Sequence, residues 1–202
     1  MESFSVIDRL INVNLNYKNE LKHIKELLLS KQSDERKYLF LDLDDVLNTG
    51  EYSNYLEKNN LPQFDKYGAI FEPKAVENLQ YIIDKTHAKI ILTSTWRYDG
   101  FDRMLQLWKD RNLPSVLVDI TPDLFPVGEK RPIGLRGLEI DNWLNYKRGS
   151  DFCVHYTYAI IDDEDDFLLH QLEHIVLTDP MKGLTREVAN KVISILNTNE
   201  QF

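Results

Sequence analysis

The sequence predicts an α/β protein: a doubly wound, mostly parallel five-stranded sheet. Three observations carry that expectation. Short runs rich in branched and aromatic residues alternate with stretches whose apolar residues recur at helical spacing, the mark of repeated strand and helix units. The strongest runs, at 38–43, 89–92 and 158–161, are apolar on both faces, as strands covered on both sides must be. Each of these runs also empties into polar residues, at the end where open α/β sheets place their ligands.

Composition narrows the class. With 202 residues, 43% hydrophobic and 28% charged, the chain fits one compact globular domain with an appendage. A formal charge of -9 argues against a broad, non-specific grip on nucleic acid, but is compatible with a phosphorylated substrate. The one cysteine, Cys153, excludes an internal disulfide and suits a reducing compartment. Met1-Glu2-Ser3-Phe4 does not open a leader, and no apolar run approaches bilayer length. A cytoplasmic protein with no membrane partner is expected.

Taken in order, residues 1–36 read as a helical extension and linker. Leu21, Ile24, Leu27 and Leu28 recur at helical spacing, and the polar stretch 30–37 follows. The main domain then spans 37–202. Its first strand, Tyr38-Leu39-Phe40-Leu41-Asp42-Leu43, leads into Asp44, Asp45 and Asn48. On an extended backbone Asp42 and Asp44 point the same way, roughly 6 to 7 Å apart at Cα. Two facing acids repel unless a cation sits between them, and hard oxygen ligands suit Mg²⁺. Taken alone, an Asp-x-Asp is more often a solvated turn.

Residues 49–71 hold Gly50, Pro62 and Gly68 without a long periodic pattern and read as a flap or short cap over the acids. Its Tyr52, Tyr55 and Tyr67 suit core cover better than base stacking. Pro73 opens a helix with Val76, Leu79, Ile82 and Ile83 on one stripe. The second strand, Lys89-Ile90-Ile91-Leu92, ends in Thr93-Ser94-Thr95-Trp96-Arg97. A helix through Phe101, Met104, Leu105, Leu107 and Trp108 precedes a short third strand ending at Asp119. Pro122, Pro126, Gly128, Pro132 and Gly134 mark a loop carrying Lys130 and Arg131. Leu138, Ile140, Trp143 and Leu144 give the helix that starts near Arg136. The fourth strand, Tyr158-Ala159-Ile160-Ile161, runs into Asp162-Asp163-Glu164-Asp165-Asp166, a concentration of charge that needs compensation. His174-Ile175-Val176-Leu177 is the fifth strand, and Thr185 caps a closing helix through Val188, Val192, Ile193 and Leu196. The histidines show no metal-ligand spacing.

The ordered set Asp42 and Asp44, Thr93, Lys130 or Arg136, and Asp162 with Asp163 resembles the haloacid dehalogenase-like (HAD) superfamily of phosphatases and phosphotransferases. The finer wording Leu43-Asp44-Asp45-Val46-Leu47-Asn48, Leu92-Thr93-Ser94-Thr95-Trp96-Arg97, Arg136-Gly137-Leu138-Glu139-Ile140 and Gly183-Leu184-Thr185 looks like its subgroup associated with RNA-repair proteins. The resemblance covers about residues 37–197.

It implies an Mg²⁺-dependent phosphomonoesterase acting through an aspartyl-phosphate. Asp42 would be the nucleophile and Asp44 the acid and base. Mg²⁺ would be held by the Asp42 carboxylate, the Asp44 backbone carbonyl and Asp162 or Asp163. Thr93, or Ser94 in its place, would bond the transferring phosphoryl group, with Arg136 the first choice of cation and Lys130 the alternative. Asn48 would position the flap and Arg97 would contact a substrate phosphate, while Trp96 suits packing. Asp45 stands where the family has a turn glycine, a position of positive φ that Asp tolerates. The short cap suits a bulky substrate such as a nucleic-acid end. A receiver-like signalling domain fits less well, because the strand ending at Asp119 lacks matching surroundings. A non-catalytic binding module must explain why all the acids are present.

Overall fold

A computed structural model of the protein describes residues 36–114, 117–125, 133–150 and 156–198. The predicted extension, apart from Arg36, lies outside the described residues, as do Lys130, Arg131 and Cys153. Strands β1 (Arg36–Leu41), β2 (Lys89–Leu92), β3 (Leu117–Ile120), β4 (Tyr156–Asp162) and β5 (Ile175–Leu177) form one sheet. Its order is β3-β2-β1-β4-β5 and every pairing is parallel. Arg36 and Lys37, read from sequence as linker, pair instead with Tyr156 and Thr157 and open β1.

Side chains on β1 alternate between two cores, as the period of two requires. Leu39 and Leu41, with Ile90, Leu92, Ala159 and Ile161 from the neighbouring strands, face one cluster. There they meet α2 (Pro73–Thr86), α3 (Phe101–Asp110) and α5 (Arg186–Asn197). Tyr38 and Phe40 face the other side, under α4 (Leu135–Ser150), where the Trp143 ring stands edge-on to both at 5.1 and 5.5 Å. Ile140 and Leu144 complete the buried stripe of α4, whereas Leu138 is exposed.

The local punctuation agrees with the sequence. Pro73 occupies the first turn of α2, and Thr185 Oγ1 accepts from Val188 N at 3.3 Å to cap α5. The expected unpatterned flap is partly a helix, α1 (Gly50–Lys58). Leu56 is its buried residue, so it has no apolar stripe to betray it. It is set by its ends instead: Thr49 Oγ1 accepts from Tyr52 N, and Gly50 and Glu51 donate their N–H groups to Pro180 and Met181 carbonyls. The loop at 59–72 that follows is fastened to α3. Arg111 Nη2 bonds Asp65 Oδ1 at 2.7 Å, and Asp110 Oδ2 accepts from Lys66 Nζ and Tyr67 Oη.

The chain runs β1, β2, β3 outward on one side and then returns to place β4 against β1. Its topological switch point therefore lies between β1 and β4, where ligands bind in such sheets. Asp42 and Asp162 flank that point.

Candidate active site

Register places the acids. Leu41 pairs with Ile161, and Asp42 N continues the ladder to Ile161 O at 3.0 Å, which sets Asp42 beside the end of β4. The chain then turns sharply. Leu43 O accepts from the N–H groups of Val46, Leu47 and Asn48, and Asp45 adopts φ 54 as the turn demands. Asn48 Oδ1 accepts from Asp45 N at 2.7 Å, and Thr178 Oγ1 donates to Asp45 O at 3.1 Å.

Strand β1 ends at Leu41, one residue short of Asp42. The Asp42 carboxylate is nearly buried and accepts from Arg136 Nη1 at 2.7 Å. Arg136 Nη1 also lies 3.0 Å from Asp162 Oδ2 and donates to Thr93 O at 3.3 Å. Asp42, Asp162 and Asp163 offer one oxygen each within 4.8 Å of one another. The Asp44 carboxylate is outside this group. It accepts instead from Trp96 Nε1 and from Asn48 Nδ2. Asn48, expected to position the flap, therefore bonds the acid itself.

Among the described residues, Arg136 at the start of α4 is the cation at the acids. Asp166 sets that helix end: its carboxylate accepts from Gly134 N and Arg136 N, and its carbonyl from Gly137 N. Gly137 lets the segment at Leu168 come close, since a Cβ there would lie 2.7 Å from Leu168 N. Nothing in the spacing of the acidic run distinguished Asp166 from its neighbours.

Thr93 Oγ1 is fully buried and has no hydrogen-bond partner among the described residues, while Ser94 Oγ accepts from Trp96 N and caps the short 3-10 helix Thr95–Asp99. Arg97 requires a correction. Expected to contact a substrate phosphate, it is 5% exposed and turned inward, with Nη2 on Glu139 Oε2 and Nη1 on the carbonyls of Thr93 and Ser94. A partner 42 residues away in sequence decides its direction. Asp119, the receiver-type candidate, accepts from Trp143 Nε1 at 3.0 Å.

The electrostatics follow from crowding acids in a dry place. Burial pushes Asp42 up, Arg136 opposes this, and Asp44 and Asp163 add to the rise. Burial likewise carries Asp162 up to about 7 against the pull of Arg136, with Asp42 and Asp163 contributing. Asp163 and Asp45 are raised too, by burial first. Burial works against the Arg136 charge, but Asp162 and Asp42 outweigh it and strengthen its hold on the proton. Among the described residues, one guanidinium does not balance this many carboxylates. Asp162 Oδ2 is also a buried oxygen that accepts no hydrogen bond among the described residues. A hard divalent cation fits this donor set.

A parallel doubly wound sheet with an aspartate at the end of its central strand, acids across the switch point and a basic residue between them is the build of a HAD-type domain. The chain belongs to the family described as the HAD domain in Swiss Army Knife RNA repair proteins, whose model matches residues 38–189. No curated protein and no solved structure matches the chain. Membership supports a hydrolase of the HAD type.

Proposed function

We propose that the protein is an Mg²⁺-dependent phosphomonoester hydrolase working through an aspartyl-phosphate. The observation that carries this reading is the Asp42 carboxylate, whose Oδ1 accepts from Arg136 Nη1, together with the buried Thr93 hydroxyl at the end of the adjacent strand, which has no hydrogen-bond partner among the described residues. Asp42 Oδ2 forms the bond to phosphorus as the bond to the leaving oxygen breaks, and Asp44 supplies the proton that this oxygen takes up. Water then attacks the phosphoryl group, gives its proton back to Asp44 and releases inorganic phosphate, restoring both carboxyl groups. Thr93 Oγ1 and Arg136 stabilise charge on the phosphoryl oxygens. Asp42, Asp162 and Asp163 would hold the cation, which when bound offsets the repulsion between an anionic nucleophile and an anionic substrate.

A phosphorylated nucleic-acid end is the proposed substrate. The family's description names RNA repair, and the short segment between β1 and α2 leaves little room for a large cap, which suits a bulky chain. Residues 37–202 form the proposed catalytic unit, preceded by the extension at 1–36. A cytoplasmic setting suits the single cysteine. No helix among the described residues is long and apolar enough to cross a membrane.

Release of inorganic phosphate from 4-nitrophenyl phosphate and from 5′- or 3′-phosphorylated oligonucleotides, with Mg²⁺ or with chelator, tests the reading. Turnover should require the metal and vanish in Asp42→Asn. Undiminished activity in that variant would remove Asp42 from its role.

A further inference from the structure

The Asp44 carboxylate is clamped. Trp96 Nε1 lies 3.0 Å from its Oδ1 and 2.9 Å from its Oδ2, and Asn48 Nδ2 donates to Oδ1 at 2.8 Å. An indole has one N–H and no acceptor, so Trp96 has its whole polar capacity on this acid. Sharing that N–H between both oxygens fixes the direction in which the carboxyl group points.

The indole is itself held. The Phe71 ring lies 5.6 Å away at a tilt of 39°, and the Arg111 guanidinium stands 5.4 Å from the indole centroid. Gly68, at φ +138, approaches the far edge so closely that a Cβ there would be 2.8 Å from Cη2. Gly68 and Phe71 belong to the loop at 59–72, and Arg111 follows α3. One edge of the indole is thus pinned by that loop and the other edge holds the acid.

We infer that Trp96 is the positioning residue for the proton donor: it aims Asp44 at the leaving oxygen, and the loop at 59–72 keeps it there through Gly68. This rests on the phosphatase reading. It also separates two kinds of ester. An alkoxide leaves only as its oxygen is protonated, whereas 4-nitrophenolate carries its charge unaided, so a misdirected Asp44 slows alkyl esters selectively. The parameter kcat/KM reports the steps up to phosphoryl transfer and leaves out the later hydrolysis, where Asp44 acts as a base.

The test compares kcat/KM of Mg²⁺-loaded wild-type protein and Trp96→Phe on glycerol 2-phosphate and on 4-nitrophenyl phosphate. The loss on the alkyl ester should be about 10²-fold, at least about tenfold greater than the loss on the aryl ester. Gly68→Ala should show the same selectivity in weaker form. Equal losses on the two esters, or none, would overturn the inference. Should Trp96→Phe fail to fold, the indole N–H resonances of wild-type protein and Asp44→Asn decide instead: one of the three signals should move, and three unmoved signals would overturn the contact. If wild-type protein turns over neither ester nor 5′- or 3′-phosphorylated oligonucleotides, the phosphatase reading falls and this role with it. A shifted indole signal in that case shows that the chemistry failed and not the contact.

Discussion

Arg97 and Glu139 form a buried ion pair, Nη2 to Oε2 at 2.5 Å, with side chains 4% and 3% exposed. The pair spans the sheet's ligand end: Arg97 also binds the carbonyls of Thr93 and Ser94 after β2, while Glu139 lies on α4, three residues after Arg136. Burial pushes the Glu139 carboxyl up and Arg97 pulls it back, so losing the arginine leaves a buried acid without its counter-charge. Arg97→Met should cost about 3 to 5 kcal/mol in urea unfolding, and Arg97→Met with Glu139→Leu should recover most of it. A single variant as stable as wild type would show the pair to be dispensable.

Asp45 sits at φ 54 in the turn that follows the two proposed catalytic acids. A left-handed conformation costs a side-chain-bearing residue about 1 kcal/mol relative to glycine. Its carboxyl is also raised by burial, and then by Asp44 and Asp42, so its charge is unfavourable there. Asp45→Gly should therefore raise the unfolding free energy by about 1 kcal/mol, read from urea midpoints at unchanged slope. A lowered midpoint would mean that the Asp45 side chain stabilises the turn.

Asp162 links stability to pH and metal. Its folded value of about 7 lies above the ordinary 3.8, so the metal-free fold binds more protons than the unfolded chain between those values. Stability of the chelated protein accordingly falls as pH rises through that window. Asp42 and Asp163 shift in the same direction. The lowered acids Asp65 and Asp110 act below their ordinary value of 3.8, outside it. A divalent cation competes with the proton for Asp162. In thermal melts with chelator, Tm should drop between about pH 5.5 and about pH 8, and Mg²⁺ should restore more at the higher pH. A Tm that rises with pH under chelation would contradict the assignment.

Much of the protein follows from features that act within a few residues. Alternation of side chains along β1 dictated two covered faces, because a strand has no other way to hide Tyr38, Leu39, Phe40 and Leu41 together. Pro73 and Thr185 marked helix starts, since each depends on its own backbone, and the family resemblance placed a turn of positive φ at Asp45. The acids at two strand ends marked the candidate site because parallel strands carry their C-terminal ends to one edge. Other features were settled only by the assembled fold. Helix α1 forms from its caps and its seat on Pro180 and Met181, not from an apolar stripe. Arg97 turns inward because Glu139 waits there, Trp96 holds the Asp44 carboxylate, and Asp166 serves α4. A polar side chain carries no record in sequence of which distant partner will satisfy it; burial forces the choice once the layers have packed.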